Sequence, residues 1–159
     1  VTGNHEYYSG VGPWLKKLDE LGIRVLRNEH VTIGTDGASF DLAGVDDCSA
    51  SGTDNAKNVR AAVQGRDTRR ALVLLAHQPR TANDTHDLGV DLQLSGHTHG
   101  GQIWPWKYLV RLTQPVIEGF GRVGDTLVYV SRGTGFWGPP MRLGAPAEIT
   151  RVILKASAV

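Results

Sequence analysis

Hydrophobic residues near the start of the chain recur at helical spacing. The stripe follows Pro13 and consists of Trp14, Leu15, Leu18 and Leu21. Because Pro is favoured in the first turn of a helix and Gly just after its end, the pattern predicts an amphipathic helix that runs from Pro13 to a stop at Gly22. Residues 3–12 carry no such period and are predicted to form a loop, after a strand that ends at residues 1–2.

Short apolar runs between turn residues predict strands along the rest of the chain. They lie at 23–26, 31–33, 40–45, 72–76, 90–94, 103–104, 116–118, 127–130 and 149–154. Residues 35–37 are predicted to form a turn, and a second helix is predicted to run from a cap at Thr53 or Asp54 to Gln64. Two helices among about nine strands predict the α/β class, as a sandwich of mixed sheets flanked by helices.

Composition and charge are those of an ordinary globular domain. The 159 residues suit a single domain spanning 1–159, with 40% apolar and 21% charged residues. A net charge of +1 favours neither nucleic acid nor an acidic membrane surface as a partner. Cys48 is the single cysteine, which excludes an intrachain disulfide and leaves the compartment undetermined.

Asparagine and histidine side chains follow predicted strands at three separate points. Asn4 and His5 follow the first strand, His77 follows the run at 72–76, and His97 and His99 follow the run at 90–94. The loops after parallel strands meet at one edge of a sheet, so these segments are expected to converge. Imidazole nitrogen and amide oxygen are sound ligands for divalent zinc, manganese or iron, and the pattern therefore predicts a metal site.

Whether His97 and His99 are interpreted as metal ligands depends on the other two segments. Residues i and i+2 of an extended segment share one face, so the two imidazoles could serve one metal ion or two neighbouring ones. Taken alone, a His-x-His pair is as consistent with two structural histidines as with two ligands. The matching positions of Asn4 and His77 favour the interpretation as ligands.

Three segments carry longer motifs. They are Gly3-Asn4-His5-Glu6, then Ala76-His77-Gln78-Pro79, then Ser95-Gly96-His97-Thr98-His99-Gly100-Gly101-Gln102. In order and spacing they resemble the last three motifs of the calcineurin-like metallophosphoesterases. The extended third motif is similar to that of a bacterial branch of phosphodiesterases, which are often membrane-associated. The resemblance implies the C-terminal portion of a metallophosphoesterase-type α/β sandwich, with the N-terminal part missing.

The resemblance also implies a role for each motif residue. Asn4, His77 and His97 would bind one metal ion, and His99 would bind another. His5 would stabilise or protonate the departing oxygen, steered by Glu6. These last two would be the catalytic residues of the chain.

The activity that the resemblance implies is hydrolysis of phosphate esters, with phosphodiesters preferred. Two divalent ions (Mn, Fe or Zn) would be the cofactors of the complete domain, and a metal-bound hydroxide would attack phosphorus. The expected partner is a phosphate-ester substrate, whose leaving group could contain a lipid or a nucleoside. Membrane association through a missing N-terminal region stays open.

Two motifs of the family have no counterpart in this sequence. An Asp-x-His and a Gly-Asp precede Gly-Asn-His in the family, whereas the sequence starts at Val1. One metal would then keep three ligands and the other only His99. An isolated chain is expected to hold one metal weakly and a second hardly at all. The alternative to a hydrolase is a non-catalytic half-domain, or a remnant that binds a single metal.

Aromatic residues flank the third motif, namely Trp104, Trp106, Phe136 and Trp137. They could line a pocket for an apolar or ring-containing leaving group, or they could pack the core. Arg132 and Arg142 could contact a phosphate, although a solvated or salt-bridged arginine is the simpler interpretation of each. The predicted substrate-binding residues are Trp104, Trp106 and Arg142.

Other polar residues are predicted to lie outside the site. His30 and His86 are interpreted as surface or hydrogen-bonded histidines. Asp46 and Asp47 could approach the site, although capping a turn after a strand is the favoured interpretation of both.

Overall fold

The computed structural model describes residues 1–35, 38–52 and 56–155. Its described strands form a single six-stranded mixed sheet. In chain order they are β1 (Glu29–Thr35), β2 (Ala38–Gly44), β3 (Leu72–Leu75), β4 (Leu92–Ser95), β5 (Gly119–Val123) and β6 (Thr126–Val130). The predicted α/β class, with a mixed sheet flanked by helices, is confirmed.

Parallel strands form the centre of the sheet. The strand order is β1-β2-β3-β4-β6-β5, in which β2, β3, β4 and β6 are parallel and the edge strands β1 and β5 are antiparallel to their neighbours. Leu72, Leu74 and Val128 are fully buried, as expected of central strands covered on both faces. The four parallel strands end at the same edge, which therefore collects the loops that follow them.

Five predicted strands coincide with observed strands to within a few residues: 31–33, 40–45, 72–76, 90–94 and 127–130. The predicted strands at 1–2, 23–26, 116–118 and 149–154 are wrong, because none of these runs pairs with a strand in the described part of the chain. Residues 103–104 contribute only an isolated bridge between Ile103 and Leu143. Apolar character alone does not make a strand where no neighbouring backbone completes the ladder.

The predicted loop at 3–12 is wrong, because helix α1 (Asn4–Ser9) lies within it. Glu6 Oε2 accepts a hydrogen bond from the Gly3 N–H at 2.6 Å, which satisfies one of the free amides at the start of α1. Gly10, with φ 93°, then turns the chain into helix α2 (Val11–Glu20).

Helix α2 confirms the predicted amphipathic helix, but its apolar stripe does not reach the core. Trp14 is exposed, and Leu15 and Leu18 are only half-buried. No residue of α2 is fully buried.

The second predicted helix is shorter than its pattern indicated. Helix α3 (Val59–Ala62) begins after Asn58, whose Oδ1 accepts a hydrogen bond from the Ala61 N–H. The predicted caps Thr53 and Asp54, like residues 36–37 of the predicted turn, lie outside the described residues.

Helix α4 (Lys107–Val110) follows the third motif and was not predicted. Short 3₁₀ turns complete the described secondary structure at Cys48–Ala50, Pro79–Asp84 and His99–Gly101. Within the described ranges, every helix is too short or too polar to cross a lipid bilayer.

Candidate metal centre

The loops after the central strands line a cavity at the carboxyl edge of the sheet. Strand β3 leads to His77 and strand β4 to His97, while helix α1 brings Asn4 and His5 alongside. The cavity has a volume of about 430 Å³, and His99 also lines it. All three sequence motifs therefore contribute to one site. The convergence was predicted from positions after strands, which holds for His77 and His97, whereas Asn4 and His5 lie in helix α1 and follow no strand in the described part of the chain.

Asn4, His77 and His97 are in direct contact within this cavity. His77 Nε2 lies 2.9 Å from Asn4 Oδ1 and 3.1 Å from His97 Nδ1. An amide oxygen can only accept, so a neutral His77 carries its ring proton on Nε2 and shares it between Asn4 Oδ1 and His97 Nδ1. Two acceptor atoms thus converge on the proton of His77 Nε2, and this nitrogen could bind a metal ion only after its proton moves to Nδ1.

Burial keeps both imidazole rings neutral. It lowers the pKa of His77, and it lowers the pKa of His97 to about 4, with a smaller contribution from the neighbouring His77. The carboxylate of Asp47 acts in the opposite direction on both rings, but burial outweighs it. At neutral pH the rings therefore offer lone pairs, which is the form in which histidine binds a metal.

This set of donor atoms fits a divalent cation. The two contacts of His77 Nε2, at 2.9 and 3.1 Å, are ordinary hydrogen-bond distances, so the fit rests on the chemistry of the donors, which are one amide oxygen and two imidazole nitrogens. Among the described residues, no group of three or more His, Cys, Asp or Glu side chains is arranged to hold a metal ion. The set therefore depends on Asn4 for its third ligand.

His99 lines the same cavity but is held by Arg142. Arg142 Nη2 donates to His99 Nδ1 at 3.1 Å, so a neutral His99 carries its proton on Nε2. The guanidinium also donates to the backbone carbonyls of His99, Arg132, Gly133, Gly135 and Ala145. These bonds engage every N–H of the guanidinium, so the predicted contact of Arg142 with a phosphate would require some of them to break.

His5 lies at the cavity with its side chain exposed, and its ring packs edge-on against Tyr8. No hydrogen bond joins Glu6 to His5 in the part of the chain that the structure describes. Glu6 instead holds Gly3, where a Cβ would lie 3.0 Å from Glu6 Oε2 and 3.1 Å from the His77 ring. Glycine therefore allows α1 to approach His77 closely, and Glu6 positions the start of the helix that carries Asn4.

The four aromatic residues near the third motif divide into two groups. Trp137 lines the cavity and is 36% exposed, whereas Trp104, Trp106 and Phe136 are more exposed and do not line it, with Trp104 at 58%. The rings of Trp106 and Trp137 lie 6.2 Å apart. Packing in the core is therefore the wrong interpretation for all four, and the predicted substrate-binding residues Trp104 and Trp106 lie outside the cavity lining.

Asp47 and Gln78 form a buried pair beside the site, where Gln78 directly follows His77. Asp47 was interpreted as a turn cap that could approach the site, and Gln78 was not predicted to contribute. Gln78 Nε2 donates to both carboxylate oxygens of Asp47, at 3.1 and 3.0 Å, and both side chains are buried. Asp47 also accepts from the Ser49 N–H, which is the capping role predicted for it. The sequence signal that could have identified Asp47 is its position shortly after a strand, since Asp47 follows β2 as His77 follows β3.

Asp46 joins the end of β2 to the N-terminal segment. Its Oδ1 accepts hydrogen bonds from Thr2 Oγ1, Tyr7 OH and Arg27 Nε at 2.9, 3.0 and 3.0 Å. The carboxylate is fully buried. This network fixes α1, and with it Asn4, against the sheet.

The remaining polar candidates lie outside the site, as predicted. His30 Nδ1 lies 2.8 Å from the Ala62 carbonyl, and His86 is exposed beside Asp87. Arg132 forms ion pairs with Glu118 and Glu148.

The backbone that carries His97 and His99 is strained. His97, His99 and Gln102 have φ values of 70°, 51° and 52°, in the left-handed region that residues with a Cβ rarely adopt. Gly101 is also required, because a Cβ there would lie 2.4 Å from Lys107 Cα. Such conformations persist where surrounding contacts hold them, and they are common at functional sites.

Several curated proteins are similar to the chain over nearly its whole length. An uncharacterized metallophosphoesterase of Helicobacter pylori is 44% identical over 154 residues, which cover 94% of this chain and 40% of that protein. A Bos taurus transmembrane protein with metallophosphoesterase domain is 42% identical over 99% of this chain and 38% of that protein. The uncharacterized metallophosphoesterase YkuE of Bacillus subtilis is 34% identical over 99% of this chain and 56% of that protein.

The chain is a homologue of metallophosphoesterases. It spans about 40% of the length of the Helicobacter and Bos taurus relatives. No protein-family model matches this homologue. A solved structure of the Thermus thermophilus sulfate thiohydrolase SoxB superposes on 75% of this chain and 25% of its own, with a TM-score of 0.49 and 19% identity. The superposition therefore covers only part of each chain, and the two backbones agree only in part.

The metallophosphoesterase family implies dependence on a divalent metal, and Asn4, His77 and His97 are the described residues that fit one. Because the relatives come from animals as well as bacteria, membership of a bacterial branch stays a prediction. The assignment to the C-terminal portion of a domain also stays a prediction.

Proposed function

We propose that this metallophosphoesterase homologue takes part in the metal-dependent hydrolysis of phosphate esters. The observation that carries the proposal is the contact among Asn4 Oδ1, His77 Nε2 and His97 Nδ1 beside a cavity. The family of its relatives supports the class of reaction. Phosphodiester substrates and a centre of two ions are the finer part of the proposal, and the motif resemblance supports them.

The metal would be held by the chain's own neutral donors. Asn4, His77 and His97 would bind one ion, and His99 would contribute to a second once Arg142 releases its Nδ1. A divalent ion bound there supplies a Lewis acid for phosphoryl oxygens and lowers the pKa of a water molecule towards neutrality. The burial that keeps His77 and His97 neutral favours this binding at physiological pH.

His5 would protonate the departing oxygen. It lies exposed on the cavity that holds the three donors, and a positioned proton donor typically contributes about 10²–10⁴-fold to the rate. Glu6 would act indirectly, since its bond to the Gly3 N–H fixes the start of the helix that carries both Asn4 and His5.

The leaving group would have an apolar or ring-containing part, such as a lipid or a nucleoside. Trp137 supports this part of the proposal because it lines the cavity, and Trp106 packs near its ring. An aromatic wall binds apolar groups by burial and flat rings by stacking.

The test measures hydrolysis of bis(p-nitrophenyl) phosphate and p-nitrophenyl phosphate with manganese, iron or zinc added. The wild-type protein is expected to prefer the diester. His97→Ala is expected to lower kcat/KM at least about 100-fold and to reduce the metal content measured by elemental analysis, because it removes one of three ligands. The matched control is His86→Ala, which removes an exposed histidine and should change neither quantity. Hydrolysis that survives in His97→Ala, or that needs no metal, would contradict the proposal.

A second candidate function is the binding of a single metal ion without catalysis. Two observations favour it: Arg142 occupies His99 Nδ1, and the described residues hold no cluster of three His, Cys, Asp or Glu side chains suited to a metal. One ion per chain that is lost in His97→Ala, without hydrolysis of either ester, would identify this function instead.

A further inference from the structure

Gln102, the last residue of the third motif, is fully buried and takes no part in the proposed chemistry. A buried amide side chain costs free energy unless its donor and its acceptor both find partners. Gln102 does not line the cavity, so a ligand bound there is not among those partners. The groups that it contacts within the protein therefore indicate its role.

The Gln102 side chain pairs with the backbone of a residue 35 positions away. Its Oε1 accepts a hydrogen bond from the Trp137 N–H at 2.8 Å, and its Nε2 donates to the Trp137 carbonyl at 2.7 Å. Nε2 also donates to the Pro139 carbonyl at 3.3 Å. One side chain thus satisfies both backbone groups of Trp137, as a neighbouring strand would.

The segment that carries Trp137 has no regular secondary structure of its own. Residues 131–142 form neither helix nor strand, and they include three glycines and two prolines. The Arg142 guanidinium holds two of the glycine carbonyls. Gln102 holds the part of the segment from which the Trp137 ring extends, so its bonds replace the ladder that a strand would supply.

Gln102 is bonded at the same time to the segment of the candidate metal centre. Its backbone N–H donates to the His99 carbonyl at 3.0 Å, and its φ of 52° lies in the left-handed region. Such a conformation persists where surrounding contacts hold it. The bonds to His99 and to Trp137 are contacts of that kind. Gln102 therefore links the metal-site segment to the aromatic wall of the cavity.

Trp137 is the part of the cavity that this link controls. It lines the cavity together with His97 and His99, and it is 36% exposed. Ordering a partly exposed side chain when a ligand binds costs binding free energy. A backbone that is already fixed reduces this cost for a ligand whose ring packs against the indole.

We propose that Gln102 is a positioning residue, which holds Trp137 where the ring of an aromatic ester group packs against it. Trp137 is then the residue that determines specificity, because it favours aromatic over small aliphatic ester groups. The inference rests on the proposed function for its reaction. Binding of the ring itself needs no metal, so it can be measured separately from turnover.

The experiment compares kcat/KM for bis(p-nitrophenyl) phosphate with kcat/KM for bis(trifluoroethyl) phosphate, a diester without a ring. The ratio of the two values is the selectivity, from which any unfolded fraction of the protein cancels. Trp137→Leu is expected to lower the selectivity by about tenfold, because an aromatic contact is lost. Gln102→Met, similar in length but without hydrogen-bonding groups, is expected to lower it by about threefold or more, because the ring must then be ordered on binding.

The double variant Gln102→Met/Trp137→Leu separates positioning from a general structural role. If Gln102 acts through Trp137, the double variant should lose no more selectivity than Trp137→Leu alone. The matched control is Gln64→Met, which changes an exposed glutamine outside the site and should leave the selectivity unchanged.

Three results would overturn the inference. They are an unchanged selectivity in Trp137→Leu, an equal loss of both activities in Gln102→Met, and losses that multiply in the double variant. Because Trp137 is partly exposed, Trp137→Leu tests the specificity even where Gln102→Met fails to fold.

A binding measurement keeps this inference separate from the proposed function. Bis(p-nitrophenyl) phosphate is titrated in the presence of EDTA, and quenching of tryptophan fluorescence reports binding without turnover. The Kd is expected to rise by about threefold or more in Gln102→Met and to stay constant in Gln64→Met. This pattern without hydrolysis of either ester would contradict the proposed function and support the positioning role. An unchanged Kd in Gln102→Met would overturn that role whether or not the esters are hydrolysed.

Discussion

At the scale of single residues, Asp46 links two distant parts of the chain. Its buried carboxylate accepts hydrogen bonds from Thr2, Tyr7 and Arg27. We expect Asp46→Asn to lower the free energy of unfolding by about 2–3 kcal/mol, less than for a fully buried ion pair because Arg27 is partly exposed. Urea unfolding measures this. Glu20→Gln, which breaks an exposed pair with Lys17, is the control and should change nothing measurable.

Arg142 gives a second prediction at this scale. Its guanidinium holds five backbone carbonyls in the loop around His99, and a lysine ammonium has only three donors. We expect Arg142→Lys to increase amide hydrogen exchange in residues 133–145 by about 10- to 100-fold, because each lost bond is worth roughly 1 kcal/mol. Arg151→Lys, an exposed arginine, is the matched control. Unchanged exchange in Arg142→Lys would show that the carbonyl contacts do not order the loop.

The residues differ in how far sequence could predict their roles. His77 and His97 were predictable because each follows a short apolar run, and the loops after parallel strands meet at one edge. The contact between His99 and Arg142 was not, because it brings together residues 43 positions apart whose separation carries no periodic signal. Asp47 lies between these cases, since its position after β2 could be predicted from the sequence, whereas its hydrogen bonds with Gln78 could not.

At the scale of elements, the spacing of apolar residues predicted where a helix lies along the chain better than it predicted which residues are buried. The stripe of α2 forms a helix as predicted, yet it stays partly exposed because no second layer covers that face among the described residues. Helix α1 was mistaken for a loop because its six residues have no apolar stripe, and the Glu6 bond to Gly3 stabilises its start instead. Residues 149–154 were mistaken for a strand because they are apolar, although Ile149 is 91% exposed.

This difference between elements predicts unequal costs for similar substitutions. Leu74 in β3 is fully buried, so we expect Leu74→Ala to lower the free energy of unfolding by about 2–5 kcal/mol. Leu21, at the end of α2, is 62% exposed, so we expect Leu21→Ala to cost less than about 0.5 kcal/mol. Chemical denaturation of both variants measures the two costs. Similar losses would mean that α2 packs against more of the chain than the structure indicates.

At the scale of the whole molecule, the candidate centre exists only when three segments are assembled. Asn4 and His77 lie 73 residues apart, and His77 and His97 lie 20 apart. A metal that binds all three therefore binds the folded state and not the unfolded one, so binding should stabilise the fold.

Thermal unfolding tests this coupling. Zinc or manganese at about one hundred times its Kd should add about 2.7 kcal/mol. That gain corresponds to a rise in Tm of roughly 5–10 °C for a domain of this size. The rise should vanish in His77→Ala and persist in the His86→Ala control. An equal rise in His77→Ala would mean that the ion binds elsewhere.

The pairing of β3 with β4 also limits how the length of the chain can vary. Leu74 lies opposite Gln93, and this register determines where His77 and His97 emerge from the sheet. One residue added within 92–97 would advance the strand by about 3.3 Å and reverse the faces of its side chains, so the sheet could survive while the two rings part. The segment 81–90 has no such role in the register, so insertions and deletions among functional relatives should fall there and spare the strand.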